Sequence, residues 1–423
     1  MTVEEVIAKL GEECSLDDVG RFWEESGAAL ESAGHFLARE LVVEARQWCG
    51  LPDALDADLT GVAQEVDENP ALRRLAWHCT WRLFHCEESH DLGQWPTLAG
   101  TLGDRNGFFY LLVALGMVPR IRDYHRSLGV PQEATRTTCL QIRCFWEIHQ
   151  RDHQGRGGIS FGRLNWLRNY VRSPYFRVGR LEYWLRPNPS KPVVYRCRTS
   201  GSVIAMAQED ENFTPGGFLD GEEAPVDSWS STFIDDDDGA IGHPITPQGA
   251  ALPFTVELPY SRWERVLSKG DEILQIHIPF GEKLTPKSVG ESMKEAVTFF
   301  RTYFPDASPR AFGSSSWMFS PILEQLLPSE SNVVRFPSEF YLFPIPSGPH
   351  GGLGFIFPDG DFDPKTASRD TSLQRAILDF VASGGRWRAG GMFFLIDDVD
   401  RVGKQPYRQG WPPAEVREAM EEI

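Results

Sequence analysis

The sequence has too little positive charge to balance its acids. Its 423 residues carry 42 Lys and Arg against 60 Asp and Glu, a formal net charge of -18. Phosphate backbones and anionic lipid surfaces need a basic face, so the balance disfavours nucleic-acid and membrane partners. Cysteine is scarce too: the 7 are odd in number and scattered. That spacing fits reduced thiols in a cytoplasmic protein better than a disulfide framework. No run approaches the roughly 20 apolar residues of a membrane span. The opening Met1-Thr2-Val3-Glu4-Glu5 has neither the basic start nor the apolar core of a signal peptide. Also missing are a Walker loop, a Gly-x-Ser-x-Gly elbow and any solenoid repeat.

What is present is bulk for burial. Residues of the hydrophobic class make up 41%, with 13 Trp and 27 Phe. A chain of this length divides into two domains. The expected class is α+β. Residues 1–172 read as a helical domain, and 173–423 as a mixed α/β sheet domain with an acidic loop at about 208–250.

The helical half is marked by Ser15 as the cap of a helix carrying Leu16, Val19, Phe22 and Trp23, by apolar runs over 72–86 and 108–115, and by a helix over 133–149. Strand patterns begin near Phe176 and continue over 180–185 and 192–197, with Asn188-Pro189 between them. Residues 208–250 hold eleven acids and no Lys or Arg, and read as a solvated loop or flap. Beyond them the pattern predicts a strand over 272–279, a helix over 286–304, a strand over 309–318 and a short helix after Pro321. It then predicts a long strand over 333–343, a helix from Thr371 and a last strand over 392–396. The Gly351-Gly352-x-Gly354 run reads as a hairpin turn.

One segment points to chemistry. In Ile273-Leu274-Gln275-Ile276-His277-Ile278-Pro279, Leu274, Ile276 and Ile278 share one face, and Ile273, Gln275 and His277 share the other. Pro279 has no N–H for a neighbouring strand, so pairing stops or opens there. Phe280-Gly281-Glu282-Lys283-Leu284 then forms a short loop, Thr285 is a good N-cap and Pro286 a good first helical residue. A strand, a glycine loop and a helix N-terminus can cradle a phosphate. The plainer alternative is an ordinary capped crossover helix.

The pattern Ile276-His277-Ile278-Pro279, Leu284-Thr285-Pro286 and Tyr303-Phe304-Pro305 resembles a bacterial group of proteins. They carry an N-acyltransferase N-terminal domain and a GNAT-like C-terminal domain. Ser316-Trp317-Met318-Phe319-Ser320-Pro321, Leu326-Leu327-Pro328 with Ser331 to Phe336, and Asp370 to Ala376 resemble further segments of the same family in the same order. The resemblance implies a GNAT-like acyltransferase fold and acyl-CoA as co-substrate, with no metal. It implies direct attack of a small-molecule amine on the thioester. Acyl-CoA would lie between the strand ending at Pro279 and the strand ending near Trp317. Ile278, Pro279, Phe280, Gly281, Lys283, Thr285, Lys287 and Ser288 would bind it. Candidate catalytic residues are His277 as base, Ser316 as a polar group across the cleft and Glu324 as a further base; Gln275, Trp317 and Arg335 would meet the acceptor. The usual Arg/Gln-x-x-Gly-x-Gly/Ala loop is absent, and Glu282 puts an anion where phosphates would approach. A catalytically silent ligand- or partner-binding protein is the competing expectation.

His78 and His85, and Cys79 and Cys86, recur seven residues apart with His90 nearby, and Cys139, Cys144 and His149 follow. A packed helix accounts for them better than zinc, whose ligands come at shorter Cys spacing and from two elements. The run Asp235 to Asp238 lacks EF-hand spacing.

Overall fold

The computed structural model describes residues 1–30, 36–88, 91–220, 227–348, 351–357 and 362–422. They form two compact units: Met1–Val178 with Pro279–Gly281, and Gly179–Ile278 with Glu282–Ile423.

The first unit is helical: α1 (Val3–Leu10), α2 (Leu16–Gly20), α3 (Trp23–Leu30), α4 (Arg39–Trp48), α5 (Asp56–Glu68), α6 (Pro70–Phe84), α7 (Ala99–Leu102), α8 (Asn106–Leu115), α9 (Met117–Ser127), α10 (Gln132–Asp152) and α11 (Leu164–Leu167), then a short strand, β1 (Tyr175–Val178). Helix α6 is the centre. Asn69 caps it, accepting from the N–H groups of Ala71 and Leu72, and Pro70 takes the position where a missing N–H costs nothing. Its buried residues reach right round the helix: Leu72, Leu75, Cys79 and Leu83 lie on one side, and Arg74, Trp77 and His78 on the other.

Ser15 does cap a helix, but that helix ends at Gly20. Phe22 takes φ 62, a left-handed turn that breaks the run before Trp23 starts α3. At His78, Nε2–H donates to the Val19 carbonyl at 2.7 Å and Nδ1 meets Ser26 Oγ at 2.6 Å, so both ring nitrogens serve packing. Burial holds this imidazole down to about 3. His90 lies outside the described residues. Among the described residues no group of three His, Cys, Asp or Glu side chains is placed to hold a metal ion.

In the second unit the strands are β2 (Leu181–Pro187), β3 (Val193–Cys197), β4 (Val203–Met206), β5 (Asn212–Phe213), β6 (Trp229–Ser230), β7 (Phe233–Asp235), β8 (Gly239–Gly242), β9 (Pro244–Ile245), β10 (Val256–Pro259), β11 (Trp263–Leu267), β12 (Glu272–His277), β13 (Ala311–Ser316), β14 (Tyr341–Pro344) and β15 (Gly390–Leu395). The helices are α12 (Pro286–Tyr303), α13 (Leu323–Leu326), α14 (Asn332–Ser338), α15 (Ser372–Ala382) and α16 (Ala414–Glu421). Strands β2, β12, β13, β15 and β14 lie side by side in that order. β12 and β13 are parallel, and the other neighbours in that row are antiparallel. A second sheet, β11-β3-β4-β9, holds the strand over 193–197 apart from the one over 181–187.

Helix α12 has the expected start: Thr285 and Ser288 form a capping box, and Val289, Met293, Ala296, Val297 and Phe300 are buried. Inside that stripe Ser292 is the polar exception. Its hydroxyl accepts from the Leu181 N–H at 3.1 Å and bonds Tyr183 Oη at 2.8 Å, tying α12 to β2.

Three expectations change. The long strand over 333–343 is instead α14 followed by β14: Asn332 to Ser338 coil despite the Val333-Val334 pair, and Val334 and Phe336 are buried from a helix. The acidic stretch is not a plain loop, because β5 to β9 run through it. Asp220, 6% exposed, is gripped by Arg388 at 2.7 and 2.8 Å and by Arg386 at 3.3 Å. Glu211, also buried, accepts from the Gln208 N–H and pairs with Lys191. Glu222 and Glu223 lie outside the described residues. The Gly351-Gly352-x-Gly354 run enters a 3-10 turn over Leu353–Phe355, where Gly352 at φ 75 passes 2.8 Å from Trp317 Cβ, measured from the Cβ it lacks.

Candidate active site

Strands β12 and β13 start as a parallel pair and then part. Ile273 faces Ala311, Leu274 faces Phe312, Gln275 faces Gly313, and the ladder stops. β12 goes on against β2 through Ile276↔Tyr183 and His277↔Glu182. β13 goes on against β15 through Ser314↔Met392, Ser315↔Gly391 and Ser316↔Gly390. Past Gln275 and Gly313, each strand keeps its outer partner and loses its inner one. A slot opens, edged by main-chain groups that need hydrogen bonds. An extended ligand with amides of its own can supply them, as an added strand does.

Local sequence sets the opening. Pro279 gives β12 no further donor. Ser316 ends β13 by capping the 3-10 turn Trp317–Phe319, its Oγ accepting from the Met318 N–H at 3.3 Å. That turn folds against β15 because Gly390 has no side chain: a Cβ there would sit 2.0 Å from the Phe319 carbonyl oxygen.

The pleat sorts the candidates. Gln275 and His277 share a face, and on β13 that face belongs to Gly313 and Ser315, since Gln275 and Gly313 are register partners. Ser315, exposed, therefore stands on the His277 side, while Ser316 faces the other way and spends its oxygen on the turn. Gln275 Oε1 is buried with no hydrogen-bond partner. His277 lies beside Trp184, ring centroids 6.5 Å apart. Burial, with the Arg186 guanidinium nearby, lowers its imidazole to about 4, so it is neutral at physiological pH. Glu324 and Arg335 stand apart from this group. Glu324, on α13, pairs with Arg408, and Arg335 is exposed on helix α14, where a strand was expected. Trp317 sits in the 3-10 turn, packed on a cluster that includes Leu323, Leu353 and Trp387.

After Ile278, Pro279–Gly281 count with the helical unit. Phe280 is 43% exposed, and Gly281 takes φ 118 with open space where a Cβ would be. Glu282 returns to the sheet unit, its carbonyl taking two bonds from Arg180 at 3.0 and 2.6 Å. At α12, Thr285 accepts from the Ser288 N–H through its hydroxyl and from the Val289 N–H through its carbonyl. Pro286 has no N–H, so the first turn keeps one amide, that of Lys287, for a ligand. Lys283 and Lys287 are exposed, with Lys287 Nζ 3.9 Å from Glu291. The slot thus offers main-chain partners to an extended, amide-bearing ligand, and the two exposed lysines add positive charge at the start of α12. The helix end contributes less than a free N-terminus would.

Sequence reasoning missed five residues here, beginning with Ser315, whose place it gave to Ser316. Glu182, 1% exposed, stands opposite His277 in the ladder. Trp184 stands opposite Gln275. The alternation in 180–186 was the available signal for both, since an acid shares one strand face with a tryptophan. Gly313 and Gly390 needed the register itself.

The chain was compared with known proteins. Residues 175–394 match the family described as GNAT-like C-terminal domain, and residues 42–173 the one described as N-acyltransferase N-terminal domain. No curated protein matches the chain. Solved structures of similar fold include an acyltransferase in complex with CoA and 10C-teicoplanin. It is 19% identical, with 94% of this chain and 100% of that one covered and a TM-score of 0.60. Another is an acyltransferase with decanoyl-CoA and teicoplanin, at 21% identity, 94% and 100% coverage and TM-score 0.59. A third is an acyltransferase mutant with octanoyl-CoA, at 20% identity, 93% and 99% coverage and TM-score 0.59.

Proposed function

Because the chain belongs to the family with a GNAT-like C-terminal domain, preceded by an N-acyltransferase N-terminal domain, we propose that it is an N-acyltransferase moving an acyl group from acyl-CoA to the amine of a small molecule. The observation that carries this reading is the parting of β12 and β13 after Gln275 and Gly313. The acyl-CoA complexes of structures with the same fold support the donor, and the two teicoplanin complexes support an acceptor of small-molecule kind.

In this reading the thioester lies in the slot with its carbonyl at the level of His277 and Ser315. The free amine attacks the carbonyl carbon. The C–N bond forms, the C–S bond breaks, and the thiolate leaves with a proton. The Ser315 hydroxyl donates toward that sulfur, and Ser316 holds the end of β13. His277, neutral at working pH, accepts from the amine N–H and aims its lone pair. A proton on an imidazole of about 4 passes at once to water, so His277 orients and relays rather than storing the proton. Gln275, with its open Oε1, receives an N–H of the donor or the acceptor. Lys283 and Lys287 face the phosphates.

The test is thermal melting against CoA and a panel of acyl-CoA species with an adenine-nucleotide control, followed by turnover of the donor that binds. A ligand of the native state raises the midpoint by mass action. A shift with an acyl-CoA, lost in Gly281→Val because φ 118 suits glycine alone, is the expected result. A cooperative melt that no CoA species moves sinks the donor. The closed cap of α12 favours one second reading, a binding protein without turnover. Binding of acyl-CoA with no release of thiol would establish it.

A further inference from the structure

On the outer side of β12, strand β2 carries three side chains that the transfer step leaves unused. The ladder sets Glu182 opposite His277, Trp184 opposite Gln275 and Arg186 opposite Ile273. Alternation puts these six side chains on one face of the sheet, all inside the sheet unit. Along β2 that face has an acidic side chain at the His277 end, a guanidinium at the other and an indole between them.

Arg186 is held in place with its donors unspent. Its guanidinium carbon lies 4.5 Å from the centre of the Trp184 ring, and a Trp184 ring centre lies 6.5 Å from that of His277. Trp184 is two residues nearer the His277 end than Arg186, so the arginine side chain leans along β2 toward His277. Its charge is felt there, since it helps to hold the His277 imidazole down. Stacking fixes a guanidinium by its face and leaves its N–H edge open. Among the described residues no carboxylate or carbonyl takes that edge, whereas Arg180 gives two N–H groups to the Glu282 carbonyl. The Arg186 side chain is half-buried, so it has already given up part of its water. Such an edge binds a carboxylate by paired, charge-assisted hydrogen bonds. One indole separates it from the imidazole that receives the acceptor amine. A molecule with an amine and a carboxylate a few bonds apart spans that gap.

We propose that the acceptor is an amino acid, or a close relative that keeps a free carboxylate, and that Arg186 binds this carboxylate while the amine is presented to the thioester at His277. The proposal rests on the transferase reading above and adds to it the acceptor class. The carboxylate is held and not consumed. The test follows thiol release from the acyl-CoA that raises the melting midpoint. The acceptors are the common α-amino acids, each beside its α-carboxamide, with melting midpoints as a check of folding. At equal free-amine concentration the wild type is expected to favour each acid over its amide, a comparison that needs no variant. Arg186→Gln is expected to lower kcat/KM for the acids by at least about tenfold, through KM, and for the amides by less than about twofold, with Arg186→Lys between. Amides used as well as acids by the wild type, or equal losses or no loss for both in Arg186→Gln, overturn the proposal and leave the transferase reading standing. An acyl-CoA that binds yet loses no thiol to any of these acceptors overturns the amino-acid class and favours the binding-protein reading. If no acyl-CoA binds, the donor falls and this inference falls with it.

Discussion

An ordinary histidine base announces itself in a pH–rate profile, and His277 is expected not to. The perturbation is His277→Gln, and the quantity is the ratio of wild-type to variant kcat/KM at each pH, in which ionisation of the amine acceptor cancels. An imidazole held at about 4 is almost wholly neutral at pH 8 and still about 97% neutral at pH 5.5. The ratio should therefore stay flat to within a few per cent over that range. An imidazole at the usual value of about 6.5 would be only about 9% neutral at pH 5.5, and the ratio would fall about tenfold. Release of the CoA thiol, followed with a dithiodipyridine that reacts at acid pH, gives both rates. The cause of the low value is burial first and Arg186 second, so Arg186→Gln should raise it only modestly. A ratio that falls with a midpoint near 6.5 would refute the reasoning: the imidazole would then be solvated, and His277 would be the resting base after all.

Stability should fall with acid through His78. Its folded value of about 3 lies below the unfolded one, so its contribution is present above about pH 6.5 and is lost as pH drops toward 3. Between pH 8 and pH 5 the loss is about 2 kcal/mol, read as a difference in urea unfolding that His78→Gln removes. Ser292→Ala frees the Leu181 N–H and Tyr183 Oη inside α12 and β2 and should cost about 2–3 kcal/mol in the same assay. Arg388→Ala leaves the buried Asp220 with Arg386 alone; about 3 kcal/mol is expected, with faster hydrogen exchange concentrated in residues 208–250. Ser315→Ala should lower kcat several-fold with KM little changed, while Ser316→Ala should act on melting temperature more than on kcat.

The parts written locally were readable. Thr285-Pro286 starts α12 where a capping residue and a proline say it should, and the alternation in 273–277 places Gln275 and His277 on one face. Pro279 signals that β12 loses its ladder. What could not be read depends on partners far away in the chain. Val333-Val334 favours a strand by propensity, yet the segment turns as a helix, with Val334 and Phe336 inside. Asp220 looks like one acid among eleven until Arg388, 168 residues on, closes on it. The choice between Ser315 and Ser316 hangs on one register pair, Gln275 with Gly313, which no single-strand pattern contains.

The parting of β12 and β13 has a consequence for how such a protein can vary. Its walls are peptide groups, and every amino acid except proline presents the same ones. Where a side chain along 276–278 and 314–316 takes no part in the chemistry, unlike those of His277, Ser315 and Ser316, its replacement leaves that main-chain surface unaltered, so the opening persists while the composition drifts. Sensitivity gathers instead at places where the backbone itself must do something unusual, Gly390 beneath the Phe319 carbonyl above all. A recognition surface made this way is conservative in geometry and permissive in spelling, which is how a motif can vanish from a loop while the architecture around it stays.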